Sequence, residues 1–394
     1  MIPLPILLLA FAGQAAEFAP RAQTPAAGTI PIYACISVPP EESTPARYRE
    51  LAEAGFTTSL TGFPNLAEAL KALDAARGSG VTLFIMCPEL KRDPAGTVRA
   101  VAGHPALAGY HLMDEPSAAA FAGLAAWQKA IEGVDAAHPC YINLLPIYAS
   151  PQQLGARTYK DYVDQFMSTV QPPLLSFDNY PTSSGRLEPH VFTNLEIISA
   201  AARSARKPFW GFYQTVIWDA MPSRTLAQLR LECNSNLVYG AQCIQAFTYW
   251  MPPFPAHREA PIGLDGRRTA MYDRVKAVNG EIRAWSRVFK DAQVSGVTHA
   301  GKVLPSGTQA FTAKGGLSRL EVGAGGAVVS FLKKGGKDYV ALLNKDIHGA
   351  LTLTVGFDDA RKVVEIRKEG QDRPVSGPEF TIAPGDLLVF QVSP

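Results

Sequence analysis

Up to about residue 290, apolar residues come in short unbroken runs, each followed by a longer stretch in which they recur every three to four positions. The runs are IPIYACISV (Ile30–Val38), Phe56–Leu60, VTLFIMC (Val81–Cys87), LAGYHLMD from Leu107, CYINLL (Cys140–Leu145), LLSFDNY (Leu174–Tyr180), PFWGFYQTV (Pro208–Val216) and CIQAFTYW (Cys243–Trp250). Such runs are strands buried on both faces, and the stretches between them are helices with one apolar stripe. The pattern predicts helices over Ala46–Ala54, Leu66–Arg77, near Asp93–Ala102, over Ala118–Ala137, from Ser150 or Pro151 to Val170, and over Pro189–Ala205, Thr225–Tyr239 and Thr269–Phe289. Asn65 stands where it can cap the second helix, and Gly55 and Gly240 where the first and seventh stop. Eight strand-then-helix units imply an α/β fold whose parallel sheet closes into a (β/α)8 TIM barrel. An open doubly wound sheet would carry a glycine-rich phosphate loop after its first strand, and the chain reads VPPEEST there.

Beyond Asp291 the pattern changes to short alternating strands separated by Gly, Asp and Lys-Gly turns, which predicts a small all-β sandwich over 292–394 behind a barrel over 29–291. At the other end, Ile2–Ala12 is apolar, too short to span a bilayer, and followed by small residues suited to cleavage near Ala15 or Ala16. This reads as a signal peptide over 1–16, with an Ala/Pro/Gln-rich linker over 17–28. The expected destination is the periplasm or the cell exterior, with no membrane insertion once the signal is removed.

Charge narrows the partners. With 37 basic against 35 acidic residues in 394 and no basic run, nothing favours nucleic acid or an anionic membrane. Cys35, Cys87, Cys140, Cys233 and Cys243 fit no zinc or CxxC spacing and read as small buried hydrophobes, with an odd count that leaves at least one free thiol.

A barrel gathers its chemistry at the carboxyl ends of its strands. Strand 4 ends in Tyr110, His111, Asp114 and Glu115, and Pro116 pushes Glu115 out of helical φ/ψ, so it is expected to be extended at the strand end. The other ends offer Asn143, Asp178 and Tyr180, Tyr213 and Gln214 with Trp218 in the following loop, and Tyr249 and Trp250. Flat rings stack on the C–H faces of sugars while amides and acids bind hydroxyls, so this mouth suits a carbohydrate. His111 is the only histidine in the mouth and no G-x-S-x-G elbow occurs, so neither a metal or other cofactor nor a serine triad is expected. Glycosidic cleavage uses one carboxyl to protonate the leaving oxygen and a second as nucleophile or base. Glu115, beside Asp114, is the natural acid, with its pKa raised by burial and like charge.

The acid-Glu-Pro end of strand 4, the YW end of strand 8 and the trailing sandwich resemble clan A of the glycoside hydrolases, which includes family 42-type β-galactosidases and many cellulase-like enzymes. The resemblance spans roughly residues 29–394. It implies Glu115 as the acid/base and Asp114 in the place of the usual asparagine that contacts the sugar 2-hydroxyl. The chain departs at strand 7, where the clan carries its nucleophilic Glu and this sequence has Gln214. Three readings follow. Asp178 is the second carboxylate. Or the Asp114–Glu115 pair works as in hexosaminidases, where the substrate's acetamido group attacks, with Tyr180 and Gln214 holding it. Or the barrel binds glycans without cleaving them.

Overall fold

The computed structural model describes residues 28–218 and 221–394; the signal peptide and nearly all of the linker lie outside them. Eight parallel strands form a closed barrel: β1 (Ile32–Cys35), β2 (Thr58–Leu60), β3 (Thr82–Ile85), β4 (Leu107–Asp114), β5 (Cys140–Leu144), β6 (Leu175–Phe177), β7 (Phe209–Gln214) and β8 (Cys243–Phe247). β8 pairs with both β7 and β1, which closes the cylinder. The helices between them are α1 (Pro45–Glu53), α2 (Leu66–Ala76), α3 (Pro94–Val101), α4 (Phe121–Glu132), α5 (Tyr159–Thr169), α6 (His190–Ala205), α7 (Leu226–Tyr239) and α8 (Ala270–Phe289).

Local chemistry explains where these helices start and stop. Thr44, Asn65, Asp93, Thr158, Thr225 and Thr269 each accept a backbone N–H of the first turn, satisfying donors that would otherwise be orphaned. α7 ends at Gly240, whose φ of 100° suits a residue without a Cβ, and a Cβ there would lie 2.9 Å from Val294 Cγ2. Most of the strands are shorter than the apolar runs, whereas β4 spans its run from Leu107 to Asp114.

The barrel interior is filled in layers. Tyr33, Phe84, Tyr141 and Trp210, from β1, β3, β5 and β7, pack ring on ring with centroids 5.4–6.0 Å apart. This is the alternate-strand layering of such barrels. It seals the cylinder below the mouth.

The chain then forms two antiparallel sheets. One contains β9 (Gln293–Gly301), β11 (Gly326–Lys334), β12 (Lys337–Asn344), β14 (Lys362–Ile366) and β16 (Leu387–Ser393), and the other β10 (Leu317–Val322), β13 (Leu351–Phe357) and β15 (Glu379–Ile382). Val329, Phe331, Leu342, Leu353, Val355 and Phe390 contribute to the core between them. α7 lies between barrel and sandwich, and almost its whole length is buried. Two of its buried amides donate from there: Asn234 Nδ2 to Gly385 O (2.9 Å) and Asn236 Nδ2 to Phe212 O (3.0 Å).

Candidate active site

The carboxyl ends of the strands surround a cavity of about 230 Å3 lined by Cys35, Ile36, Leu60, Thr61, Gly62, Met86, His111, Asp114, Tyr141, Asn143, Asp178, Tyr180, Phe212 and Phe247. It lies directly above the aromatic plug and contains no Lys or Arg among its lining residues.

β4 delivers its two contributions through a bulge. In a regular strand, residues three apart face opposite sides, yet His111 and Asp114 both line the cavity. The register against β5 shifts between His111 and Met113, and the extra residue turns Asp114 inward. The next residue, Glu115, adopts φ 45°. This corrects the expectation of an extended residue: pre-proline sterics excluded the helical region, but the side chain is brought to the mouth by a left-handed backbone, a costly conformation that persists where the surroundings impose it.

A hydrogen-bond relay orients Asp114. Tyr141 OH donates to Gln245 Oε1 (2.7 Å), Gln245 Nε2 to Ser176 Oγ (2.9 Å), Ser176 Oγ to Asn143 Oδ1 (2.8 Å), and Asn143 Nδ2 to Asp114 Oδ1 (3.0 Å). Ser176 Oγ also lies 3.0 Å from Tyr141 OH, and the shorter contact, to Asn143, carries the network from the barrel interior to the carboxylate.

Glu115 and Asp178 come together. Their carboxyl groups are close enough to share a hydrogen bond. Asp114 and Glu115 are both exposed at the strand end, and Asp114 but not Glu115 is among the residues that line the cavity; partial desolvation by the neighbouring protein still acts on them. It raises the pKa of Asp114, against the Asn143 hydrogen bond, and that of Glu115, with the Asp114 charge adding to it. Asp178 is raised furthest, by burial first and then by the charges of Glu115 and Asp114, while the nearby Tyr180 hydroxyl works the other way. Asp178 Oδ1 is buried and receives no N–H or O–H from the surrounding protein. Like charges with no cation beside them disfavour one another's ionised form, and of the two neighbouring carboxyls Asp178 is the more strongly raised.

His111 is buried and neutral, its pKa pushed down to about 4 by desolvation, with its ring 5.4 Å from that of Tyr141. Tyr180 lines the cavity, and Trp218 packs edge-on against it at 5.5 Å.

Several residues assigned to the mouth from the sequence point elsewhere. Tyr110 precedes the inward-facing His111 and therefore faces the helices, where its hydroxyl donates to Asp135 Oδ2 (2.6 Å). Tyr213 follows the cavity residue Phe212, and its hydroxyl donates to Asn279 on α8 (2.8 Å). Gln214 is fully buried outside the cavity lining: its Oε1 accepts from Ser183 Oγ (2.7 Å) and its Nε2 donates to Val216 O (2.7 Å). The Gln214 backbone N–H donates to Glu232 Oε2 (2.8 Å), and Glu232 pairs with the equally buried Arg224 at 2.5 Å. Tyr249 packs on Phe56 at 5.4 Å, and Trp250 lies under the Arg47 guanidinium at 5.1 Å; neither lines the cavity.

Sequence reasoning missed Phe212, Tyr141 and Phe247, which period-two counting from the interior rings would have found. It also missed Tyr148, in the loop after β5, which is 57% exposed yet close enough to Asp178 and Glu115 for their charges to act on its hydroxyl. No group of three or more potential metal ligands occurs among the described residues. All five cysteines are free, four of them buried. No described helix is long and apolar enough to cross a membrane.

No protein-family model matches the sequence, and no curated protein matches it. The fold is nonetheless shared with solved structures. A β-galactosidase from Bacillus circulans sp. alkalophilus superposes with a TM-score of 0.65 at 9% identity, over 93% of this chain and 99% of that one. A catalytic mutant of a GH42 β-galactosidase from G. stearothermophilus gives 0.64 at 8% identity, over 93% and 98%. At such identities the likeness concerns the fold: the chain has the barrel-and-sandwich architecture of these glycoside hydrolases, with a strand 7 end whose Gln214 side chain is turned into the structure.

Proposed function

We propose that this protein is an exported glycoside hydrolase in which Glu115 is the general acid/base and Asp178 the second carboxylate. The observation that carries this reading is the pairing of Glu115 with Asp178, which lines a cation-free cavity with aromatic walls; both carboxyls have raised pKa values. One acid and one carboxylate are what cleavage of a glycosidic bond requires. With a sugar bound, a proton held by the pair goes through Glu115 to the leaving oxygen. Asp178, left ionised, meets the positive charge developing at the anomeric carbon, and water gives its hydroxyl to that carbon and its remaining proton back to the carboxylate pair. Asp114, held by Asn143, accepts a sugar hydroxyl. The fold neighbours support this by analogy of architecture; their names describe them and not this chain.

The closeness of the pair favours a second reading. Retaining and inverting enzymes keep their carboxyls about 5 Å or more apart, whereas these two touch. If the substrate's own acetamido group is the nucleophile, Glu115 alone must act on the leaving group, and Asp114 orients the acetamido group.

Hydrolysis of a panel of β-galactosides, β-glucosides, β-xylosides and β-N-acetylhexosaminides by the parent, Glu115→Gln and Asp178→Asn separates these readings. The first predicts that both substitutions lower kcat by about a thousandfold or more. Loss in Glu115→Gln alone, with activity confined to N-acetylated sugars, selects the second. Binding without cleavage of any member, unchanged in both variants, would make the barrel a glycan-binding protein.

A further inference from the structure

Aromatic side chains continue from the cavity wall to the protein surface. Tyr180 lines the cavity and meets Trp218 with ring centroids 5.5 Å apart; Trp218 meets His257 at 6.1 Å, and His257 meets Phe254 at 5.3 Å. Trp218 and His257 are directly opposed across a two-stranded antiparallel ribbon, Ile217–Trp218 against His257–Arg258. Ser223 Oγ donates to Glu259 Oε1 (2.8 Å) beside it, and an Arg258 guanidinium N–H donates to Met221 O. The line of rings therefore stands on paired backbone.

Phe254, at its outer end, is 57% exposed. A large exposed apolar ring is the kind of surface that marks a binding site when it is continuous with one. Tyr148 and Phe254 are the only aromatics among the strongly exposed large hydrophobics of the described residues; Tyr148 feels the charges of Asp178 and Glu115, and Phe254 ends the line of rings that starts at Tyr180.

Resting on the glycosidase reading above, we propose that Trp218, His257 and Phe254 form a second sugar subsite, so that the protein acts on glycans of two or more residues. The cavity, at about 230 Å3, lies below the ~300–1,000 Å3 of pockets that hold drug-sized ligands and takes a single ring. Anything linked to that ring leaves through the mouth, and this line of rings runs out from the Tyr180 side of it. A pyranose offers an apolar C–H face, and a row of aromatic faces and edges is the surface that receives it. Trp218, His257 and Phe254 carry no carboxylate or guanidinium themselves, and the neighbouring Arg258 and Glu259 are engaged with Met221 O and Ser223 Oγ, so the occupant the rings fit is a neutral sugar.

The test uses binding by the catalytically silenced Glu115→Gln protein to a printed array of mono- to hexasaccharides from the galacto, gluco, xylo and N-acetylglucosamine series. The proposal predicts that affinity in one series rises about tenfold from mono- to disaccharide. In the double variants with Phe254→Ala or Trp218→Ala, that ratio falls to about threefold or less, on the scale expected for one stacking contact. Phe254→Ala changes an exposed side chain, so its thermal unfolding should match the parent and the comparison stays interpretable if Trp218→Ala is destabilised. A ratio near one in the parent, or a ratio unaltered by Phe254→Ala, overturns the subsite while glycan binding and cleavage by the cavity still stand. Absence of both binding and hydrolysis in every series overturns the glycosidase reading itself, and the subsite with it.

Discussion

Ser176 Oγ donates to Asn143 Oδ1 at 2.8 Å, and this bond decides which way the Asn143 amide faces. With its oxygen committed to Ser176, the amide can only present Nδ2 to Asp114, at 3.0 Å. The carboxylate of Asp114 is thus aimed by a serine two strands away, on β6, that does not itself line the cavity.

Ser176→Ala removes that constraint and leaves Asn143 Oδ1 and Gln245 Nε2 without their buried partner. The expected cost is about 1–3 kcal/mol of stability. On any glycoside the parent cleaves, a fall in kcat of about tenfold or more with a smaller change in KM is expected, because Asp114 loses its orientation. A variant equal to the parent in both unfolding and kinetics would show that the relay does not position Asp114.

Asp178 gives a stability prediction opposite in sign to its effect on activity. Burial and neighbouring charge hold its carboxyl well above the usual range, so as pH rises above about 4 the native state gives up its proton later than the unfolded chain does. The contribution is complete below about pH 4, the unfolded carboxylate pKa, and is lost as pH rises through the native value. Asp178→Asn is neutral at every pH. Its Tm should exceed the parent's at about pH 7 and converge with it near pH 4. Thermal melts across that range check this, and a lower Tm at neutral pH would contradict it.

His111 works in another window. Its pKa is pushed down to about 4 by burial, so between about pH 6.5 and 4 the unfolded chain takes up a proton that the native state refuses. Stability therefore falls as pH falls through that range. His111→Gln should flatten the acid limb of a urea-unfolding series by about 3 kcal/mol.

Gln214 stands where the resembling clan carries its nucleophile. It donates to Val216 O and accepts from Ser183, and the buried Glu232 lies against its backbone. Gln214→Glu would set a carboxylate oxygen against the Val216 carbonyl and a second acid beside Glu232. Loss of about 1–3 kcal/mol in chemical denaturation is expected, with no gain in hydrolysis. A faster enzyme would mean that the side chain reaches the cavity after all.

These particulars show what the sequence could and could not reveal. Apolar runs bounded by cap residues such as Asn65 and Asp93 mark the eight units, because buried parallel strands leave a continuous signature and caps act locally. The carboxylates were readable because strand ends gather in a barrel whatever lies between them in sequence. Side-chain direction was less so. The bulge after His111 and the left-handed Glu115 have no mark in the letters LMDEP. Neighbours such as Tyr110 and His111 face opposite ways, so both could not belong to the mouth. Gln214 reads as a substituted nucleophile until Ser183 and Val216, brought up by loops, are seen to hold it. The Trp218–His257 pairing joins positions 39 residues apart.

The account depends on Glu115 and Asp178 holding one proton between them. The direct measurement is a 13C NMR pH titration of the side-chain carboxyl carbons in protein labelled at Asp and Glu, compared with Glu115→Gln and Asp178→Asn. A step well above the ordinary carboxylate range, present in the parent and absent from Asp178→Asn, is the predicted result. Titration of every Asp and Glu in the ordinary range, unchanged by either substitution, would contradict it.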